Sequence, residues 1–209
     1  ATSKSIIKAP DNCKKLGMTP KSPQAPPAST GEYLEEETGQ KIRLPRDAVG
    51  AEALMVTPSA GFFASPQVES LLGYAKVFHQ AGISWTFSST ASEAGNFGMF
   101  IGSYSQMQKV ALRVKDDIEE IKPKRVIVGE CGHAWRVAYS FWNTLIGPFD
   151  SLDPNFPRPQ HICEFPLDLV KRGAIKLDKS KNDHIIPTFH DSCNVARGSG
   201  MGDIPGGQF

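Results

Sequence analysis

The sequence predicts an α/β protein built from open, mostly parallel sheets with flanking helices. Two observations predict it. Short apolar runs at Ala53–Val56, Ser84–Phe87 and Arg125–Val128 alternate with longer segments of helical apolar spacing, the order that yields parallel strands joined by helices. The runs also end in turns of small and polar residues, and open parallel sheets gather ligands beyond their strand ends.

Residues 1–50 read as a proline-rich arm. Pro10, Pro20, Pro23, Pro26, Pro27 and Pro45 forbid long helices and favour an extended, partly polyproline-like path that wraps or tethers. One short helix, from Gly31 to Gly39, is expected to interrupt it.

Ala53–Val56 is the first strand. Ser65 and Pro66 then open a helix with a capping hydroxyl and a proline at its first position. Val68, Leu71, Leu72, Ala75 and Phe78 share one face of it, and Gly82 stops it. Ser84–Phe87 is the second strand. A helix over Tyr104–Ile121 follows, with Met107, Val110, Ala111, Val114, Ile118 and Ile121 in register, closed by Lys122-Pro123. Arg125–Val128 is a β-branched run of the kind buried on both faces. Ala134–Leu145 reads as an aromatic helix whose Trp135, Tyr139, Phe141 and Trp142 serve the core. A proline-rich loop, Pro148–Pro159, leads to a short helix over Phe165–Arg172 that ends at Gly173. Ile185–Phe189 is expected as a last strand, at an edge because of Pro187.

Four loops leave the expected strand ends: Pro58–Ser65, Ser88–Gly98, Gly129–His133 and His190–Gly202. The last two carry Cys131 and Cys193. A lone cysteine is more often a small buried hydrophobe than a ligand. Here Cys193 stands behind His190-Asp191 and ahead of Gly198, Gly200 and Gly202, which marks it as a reactive or metal-binding thiolate. Cys131 precedes a helix, whose N-terminus is expected to lower its pKa. Cys163, in His161-Ile162-Cys163-Glu164, and Cys13 read as structural or incidental thiols.

Composition bounds the rest. A formal net charge of +1 with 22% charged residues points to no nucleic-acid or membrane-surface partner. No apolar run approaches the roughly 18 residues of a membrane span. The first residues show no secretory signal and no methionine, and the chain reads as a piece of a longer protein. Four widely spaced cysteines suit reduced thiols in a cytoplasmic compartment better than a disulfide scaffold. No Cys-x-x-Cys is present.

Residues 125–209 resemble the cysteine-rich, or CCG, domains of the heterodisulfide-reductase type. The likeness is carried by His190-Asp191-Ser192-Cys193-Asn194-Val195-Ala196-Arg197, by Gly129-Glu130-Cys131-Gly132-His133-Ala134-Trp135-Arg136 and by the region 161–209. It implies a degenerate first CCG-like subdomain over 51–147 and the start of a second over 148–209. In the first, Ser59-Ala60-Gly61 and Ala91-Ser92-Glu93-Ala94-Gly95 stand where the family has cysteines. By the same resemblance Cys193 and Cys131 ligate a noncubane [4Fe-4S] cluster, which residues outside this chain complete. Arg197 balances its charge, as Arg136 could, and His190 and His133 donate to sulfur or protonate a leaving thiolate.

The resemblance further implies an iron–sulfur subunit of a membrane-associated electron-transfer complex of dissimilatory sulfur metabolism. Such a protein is a thiol/disulfide oxidoreductase acting on a disulfide or trisulfide of a DsrC-type sulfur carrier. Its partners are the membrane and electron-transfer subunits of a Dsr-type complex, which hold it on the cytoplasmic face of the inner membrane.

Two other readings stay open. Gly129-Glu130-Cys131-Gly132-His133 has the outline of a nucleophile elbow, and Asp150, Asp153 or Asp178 with His190 could complete the triad of a cysteine-nucleophile α/β hydrolase. Against it, His133 stands where the strained turn needs a small residue. The proline-rich arm and the degenerate first half also suit a non-catalytic docking subunit.

Overall fold

The computed structural model describes residues 27–57, 65–188, 190 and 192–200. Its centre is one four-stranded sheet. The strands are β1 (Ala53–Val56), β2 (Trp85–Phe87), β3 (Arg125–Val128) and β4 (Gln160–His161), in the order β2-β1-β3-β4 and parallel throughout. The register sets Ala53 against Trp85 and Arg125, and Val128 against His161. The helices are α1 (Pro27–Thr38), α2 (Ser65–Ala81), α3 (Asn96–Phe100), α4 (Tyr104–Ile121), α5 (Gly132–Ile146) and α6 (Glu164–Lys171).

The period-2 alternation of strand side chains divides the core in two. Leu54, Val56, Val126 and Val128 point to one face, where Val114, Ile118, Trp135 and Trp142 of α4 and α5 cover them. Ala53, Met55 and Ile127 point to the other, under Leu71, Ala75 and Phe78 of α2 and Phe165 and Leu169 of α6. Each fully buried aliphatic side chain among these contributes roughly 1.5–3 kcal/mol. Leu34 of α1 is wholly buried in the second cluster, so the later part of the arm is docked. Lys76 ties it further by donating to Glu37 at 2.6 Å. Beyond α1, Arg46 bridges to Phe87 and closes the outer edge of β2.

Element ends follow local chemistry. Ser103 Oγ caps α4 by accepting from the Gln106 N–H. Lys122 ends it in the left-handed region, its N–H returned to the Ile118 carbonyl. Pro123 then prevents further helix. Strands β1 and β3 and helix α4 have the bounds that the apolar pattern predicts, and α5 starts two residues earlier than expected.

Other elements differ from expectation more. Helix α1 begins at Pro27 rather than Gly31, since a proline is tolerated in a first turn. The loop Ser88–Gly98 contains the start of α3, packed so closely on α4 that a Cβ at Gly98 would lie 2.4 Å from the Met107 nitrogen. Most consequentially, residues 185–188 form no strand. Ile186 is 98% exposed and Ile185 51%, and the Ile185 N–H closes a turn onto Asn182. Pro187 removes a ladder donor, and the slot beside β3 is held by the two-residue β4. Phe189, Asp191, Cys13, Gly202 and the loop 58–64 with its Ser59-Ala60-Gly61 lie outside the described residues.

Candidate thiol site

Because β3 and β4 run parallel, the residues that follow them emerge at the same sheet edge. Val128 leads through Gly129 and Glu130 to Cys131, the N-cap of α5. His161 leads through Ile162 to Cys163, the N-cap of α6. The Cys131 carbonyl already accepts the Trp135 N–H at 2.9 Å, which turns the chain directly from strand to helix. Glu130 is held from the side: Tyr74 Oη donates to its Oε2 at 2.6 Å and accepts its backbone N–H at 3.2 Å. Burial, and then this carboxylate, hold the Tyr74 phenol well above its usual range.

Cys193 does not follow a strand. It opens a π-helical turn, Cys193–Arg197, capped by Ser192 Oγ, which accepts the Val195 N–H at 3.0 Å. Gly132 brings this turn beside Cys131. A Cβ there would stand 3.2 Å from Asn194 Cβ and 3.3 Å from Val195 Cγ2, so the helix backbone at Gly132 packs directly against side chains of this turn. Trp135 Nε1 donates to Ser199 Oγ at 3.0 Å, and Ser199 Oγ donates in turn to the Val195 carbonyl. Arg136 Nη1 reaches Asn194 Oδ1 at 3.4 Å. The structure therefore brings together the two segments that the sequence singles out, although Cys131 and Cys193 are 62 positions apart.

All three described cysteines are free thiols. Cys131 is half-buried, and Cys163 and Cys193 are exposed. The expected pKa lowering at Cys131 is not what the surroundings produce. Burial pushes this thiol up first; the N–H groups of Ala134 and His133 oppose it, and the Glu93 and Glu130 carboxylates add to it. Burial outweighs the helix terminus. The Cys163 thiol is pushed up as well, by the protein packed around its sulfur and then by Glu164.

His133 is exposed, its ring edge-on to Phe100 at 4.8 Å. His190 and Arg197 are exposed too, and among the described residues neither makes an ion pair or a side-chain hydrogen bond. Sequence reasoning missed His161. It is 3% exposed, and burial pushes its imidazole down to about 4. Its Nδ1 accepts the Cys163 N–H at 3.2 Å, and its ring lies edge-on to Trp135 at 5.1 Å. A histidine that ends a two-residue strand, two positions before a cysteine, carries no periodic signal that would have singled it out.

The triad of a cysteine hydrolase is not assembled among the described residues. Asp153 accepts from its own turn at Asn155, and its N–H bonds Lys124, which precedes β3 at the opposite sheet edge from Cys131. Asp178 is engaged by Ser180. For a metal group, thiolates are the donors that iron–sulfur clusters take, and Cys131 and Cys193 lie on adjoining segments. The number does not suffice: among the described residues no three His, Cys, Asp or Glu side chains gather closely enough to hold a metal ion.

No protein-family model matches the chain, and no solved structure matches it. Curated sequences do. It is 35% identical over 202 residues to the "Hdr-like menaquinol oxidoreductase iron-sulfur subunit" of Archaeoglobus profundus, covering 82% of this chain and 36% of the relative. It is 35% identical over 204 residues to "subunit 2" of the same description from Archaeoglobus fulgidus, covering 83% and 37%. A component of the "Dihydromethanophenazine:CoB--CoM heterodisulfide reductase" of Methanosarcina mazei is 30% identical over 96 residues, 44% of this chain and 21% of the relative. The chain thus spans just over a third of the length of the first two relatives.

Proposed function

This chain is Hdr-like over most of its length, and on that footing we propose that it is part of an electron-transfer iron–sulfur subunit whose thiol face it helps to build. The observation that carries this reading is the seating of the Cys193 turn on Gly132, next to Cys131. Two thiol-bearing segments from distant parts of the sequence are placed side by side, the Gly132 backbone against the side chains of Asn194 and Val195, a precision that an incidental pair of cysteines does not need.

In this reading Cys131 and Cys193 are two of the thiolate ligands of a [4Fe-4S] group of the noncubane type, and residues outside this chain supply the others. The group, when bound, supplies electron transfer. Arg197 offsets negative charge beside it. The substrate is a disulfide or trisulfide on a small sulfur carrier of the DsrC kind. Reduction of one disulfide takes two electrons and two protons and yields two thiols. The electrons come from partner subunits, and His133 and His190 are the groups of this chain exposed to deliver protons. The relatives' description names menaquinol, so a quinol-linked membrane partner is the natural electron source. The finer likeness is to the K subunit of the Dsr membrane complex. No helix among the described residues is long and apolar enough to cross a membrane, and attachment at the cytoplasmic face through partner subunits is the proposed arrangement.

Iron and acid-labile sulfide analysis of the anaerobically purified full-length protein, beside Cys193→Ser, tests the ligand assignment. We expect loss of iron and an altered spectrum in the variant. Unchanged cluster content would sink it.

A further inference from the structure

At the opposite end of the sheet from the thiols lies a cleft of about 450 Å³. One wall is the strap from Lys41 to Ala51; the other is formed by Ala75 and His79 of α2 and by Ser84 and Trp85 at the start of β2. The strap is fixed in place. Phe87 N–H donates to the Pro45 carbonyl at 3.1 Å and Asp47 N–H to the Phe87 carbonyl at 2.9 Å. Ala48 N–H donates to Thr86 Oγ1 at 3.0 Å and Gly50 N–H to the Ile121 carbonyl at 2.7 Å. The floor is apolar and rigid, with Trp85 stacked on Phe78 at 4.8 Å. The cleft is therefore preformed.

Its polarity is one-sided. Lys41, Arg43 and His79 line it, and among the described residues no acidic one does. Among the described residues none of these three makes an ion pair, whereas the acids nearest along the strap are engaged: Asp47 by Arg46 and the Ser89 N–H, and Glu52 by Arg125. In a chain with 23 basic and 22 acidic residues, such an imbalance is local. Val49, 69% exposed at the rim, adds apolar surface beside the cations.

We propose that this cleft docks an acidic peptide segment of a partner subunit, with an aliphatic or aromatic side chain entering between the strap and α2. Charge decides against this chain's own first residues as occupant. Residues 1–26 carry Lys4, Lys8, Lys14, Lys15 and Lys21 against the single acid Asp11, and would be repelled. The mouth is open to solvent and the cations sit on its rim, which suits an extended segment better than an engulfed small molecule. The proposal does not depend on any assignment at the thiol edge.

Fluorescence anisotropy with a fluorescein-labelled Glu-Asp-Leu-Phe-Glu-Asp peptide on the full-length protein tests it. A Lys-Lys-Leu-Phe-Lys-Lys peptide and octanoate as competitor serve as controls. Binding should weaken about tenfold in Lys41→Glu/Arg43→Glu and fall steeply with salt, while the milder Lys41→Gln/Arg43→Gln keeps the fold and shows an intermediate loss. Equal binding by the charge-reversed variant or by the basic peptide would overturn the proposal. Displacement by octanoate at equal concentration would reassign the cleft to a small anion. A homodimer in sedimentation that the charge reversal dissolves would replace the partner by a second copy.

Discussion

Trp135 Nε1 donates to Ser199 Oγ at 3.0 Å, across 64 positions of sequence. The same indole meets His161 at 5.1 Å, and His161 Nδ1 accepts the Cys163 N–H. One buried tryptophan thus touches both the segment that begins at Cys193 and the histidine ring that holds the Cys163 N–H. Cys131, the N-cap of the helix that carries this tryptophan, completes the set. Trp135 is wholly buried, so its role in the core and its role in placing the thiol segments are inseparable in the wild type but separable by substitution.

Trp135→Phe keeps an aromatic ring and removes the donor. We expect a loss of about 1 kcal/mol in stability from the hydrogen bond, with a further cost from the smaller ring. Amide hydrogen exchange should quicken at Val195–Ser199 more than in β1 or β3. Ser199→Ala should reproduce the local exchange effect at a smaller stability cost. Uniform exchange changes across the sheet would show that the indole acts on the core alone.

Gly132→Ala tests the close approach. Alanine favours a helix over glycine by up to about 1 kcal/mol, so α5 itself should not suffer. The new methyl would press on Asn194 and Val195 and push the 192–199 segment away. Limited proteolysis should therefore cut near Cys193 faster while the melting temperature changes little. In the full-length protein, iron content should fall with it. Unaltered cleavage and iron together would mean that the contact is dispensable.

Glu130 and Tyr74 form the brace behind Cys131. Tyr74→Phe removes a hydrogen bond to a carboxylate, worth about 1.5–3 kcal/mol, and Glu130→Gln should cost less because the amide still accepts. A double-mutant cycle by urea denaturation should give a coupling of at least about 0.5 kcal/mol. Additivity would argue against the brace.

His161 gives a pH dependence with a definite sign. Its folded value, about 4, lies below the ordinary 6.5. The stabilisation from keeping it neutral is present above about pH 6.5 and is lost as pH falls through 4, because the unfolded chain takes up the proton first. The full effect corresponds to roughly 3 kcal/mol. Asp117, raised by burial, acts in the opposite sense, losing its contribution as pH rises through its folded value. His161→Gln should therefore flatten the fall in stability between pH 6.5 and 4 measured by urea unfolding. A curve identical to wild type would exclude His161 as the titrating group.

Much of the fold is legible in the residues, and the reason is periodicity. The β-branched run Arg125–Val128 and the spaced Met107, Ala111, Val114 and Ile118 define their elements without tertiary help. Gln160–His161 shows no such pattern and becomes a strand only because β3 offers it a partner. Ile185 and Ile186 have the composition of a strand and lack that partner. The site divides in the same way. The turn Gly129–His133 is visible as a strand-to-helix joint carrying a thiol. The contact of Gly132 with Asn194, the Trp135–Ser199 bond and the upward push on the Cys131 thiol all come from residues distant in sequence, so local reading assigned the thiol the wrong sign.

The accessibility of Cys131 separates the three functional readings. In the iron-free protein Cys131 is half-buried with its thiol pushed up, and only the thiolate alkylates. Exposed Cys193 should therefore react with iodoacetamide first, and Cys131 later, with a rate that keeps rising past pH 9. In the iron-loaded full-length protein a cluster-ligating Cys131 should be protected, and chelation of iron should restore its slow reaction. A hydrolytic nucleophile requires the reverse: Cys131 labelled fastest near neutral pH, with ester hydrolysis lost in step. The raised thiol and the absence of a hydrogen-bonded histidine at Cys131 among the described residues speak against that outcome. A docking subunit gives neither pattern. Its thiols would react alike with or without iron, and deleting residues 1–50 would abolish assembly while leaving thiol chemistry unchanged. Mass-spectrometric labelling of the two cysteines, with and without iron, distinguishes all three. Equal protection of Cys131 in both forms would count against the ligand role even if the protein holds iron elsewhere.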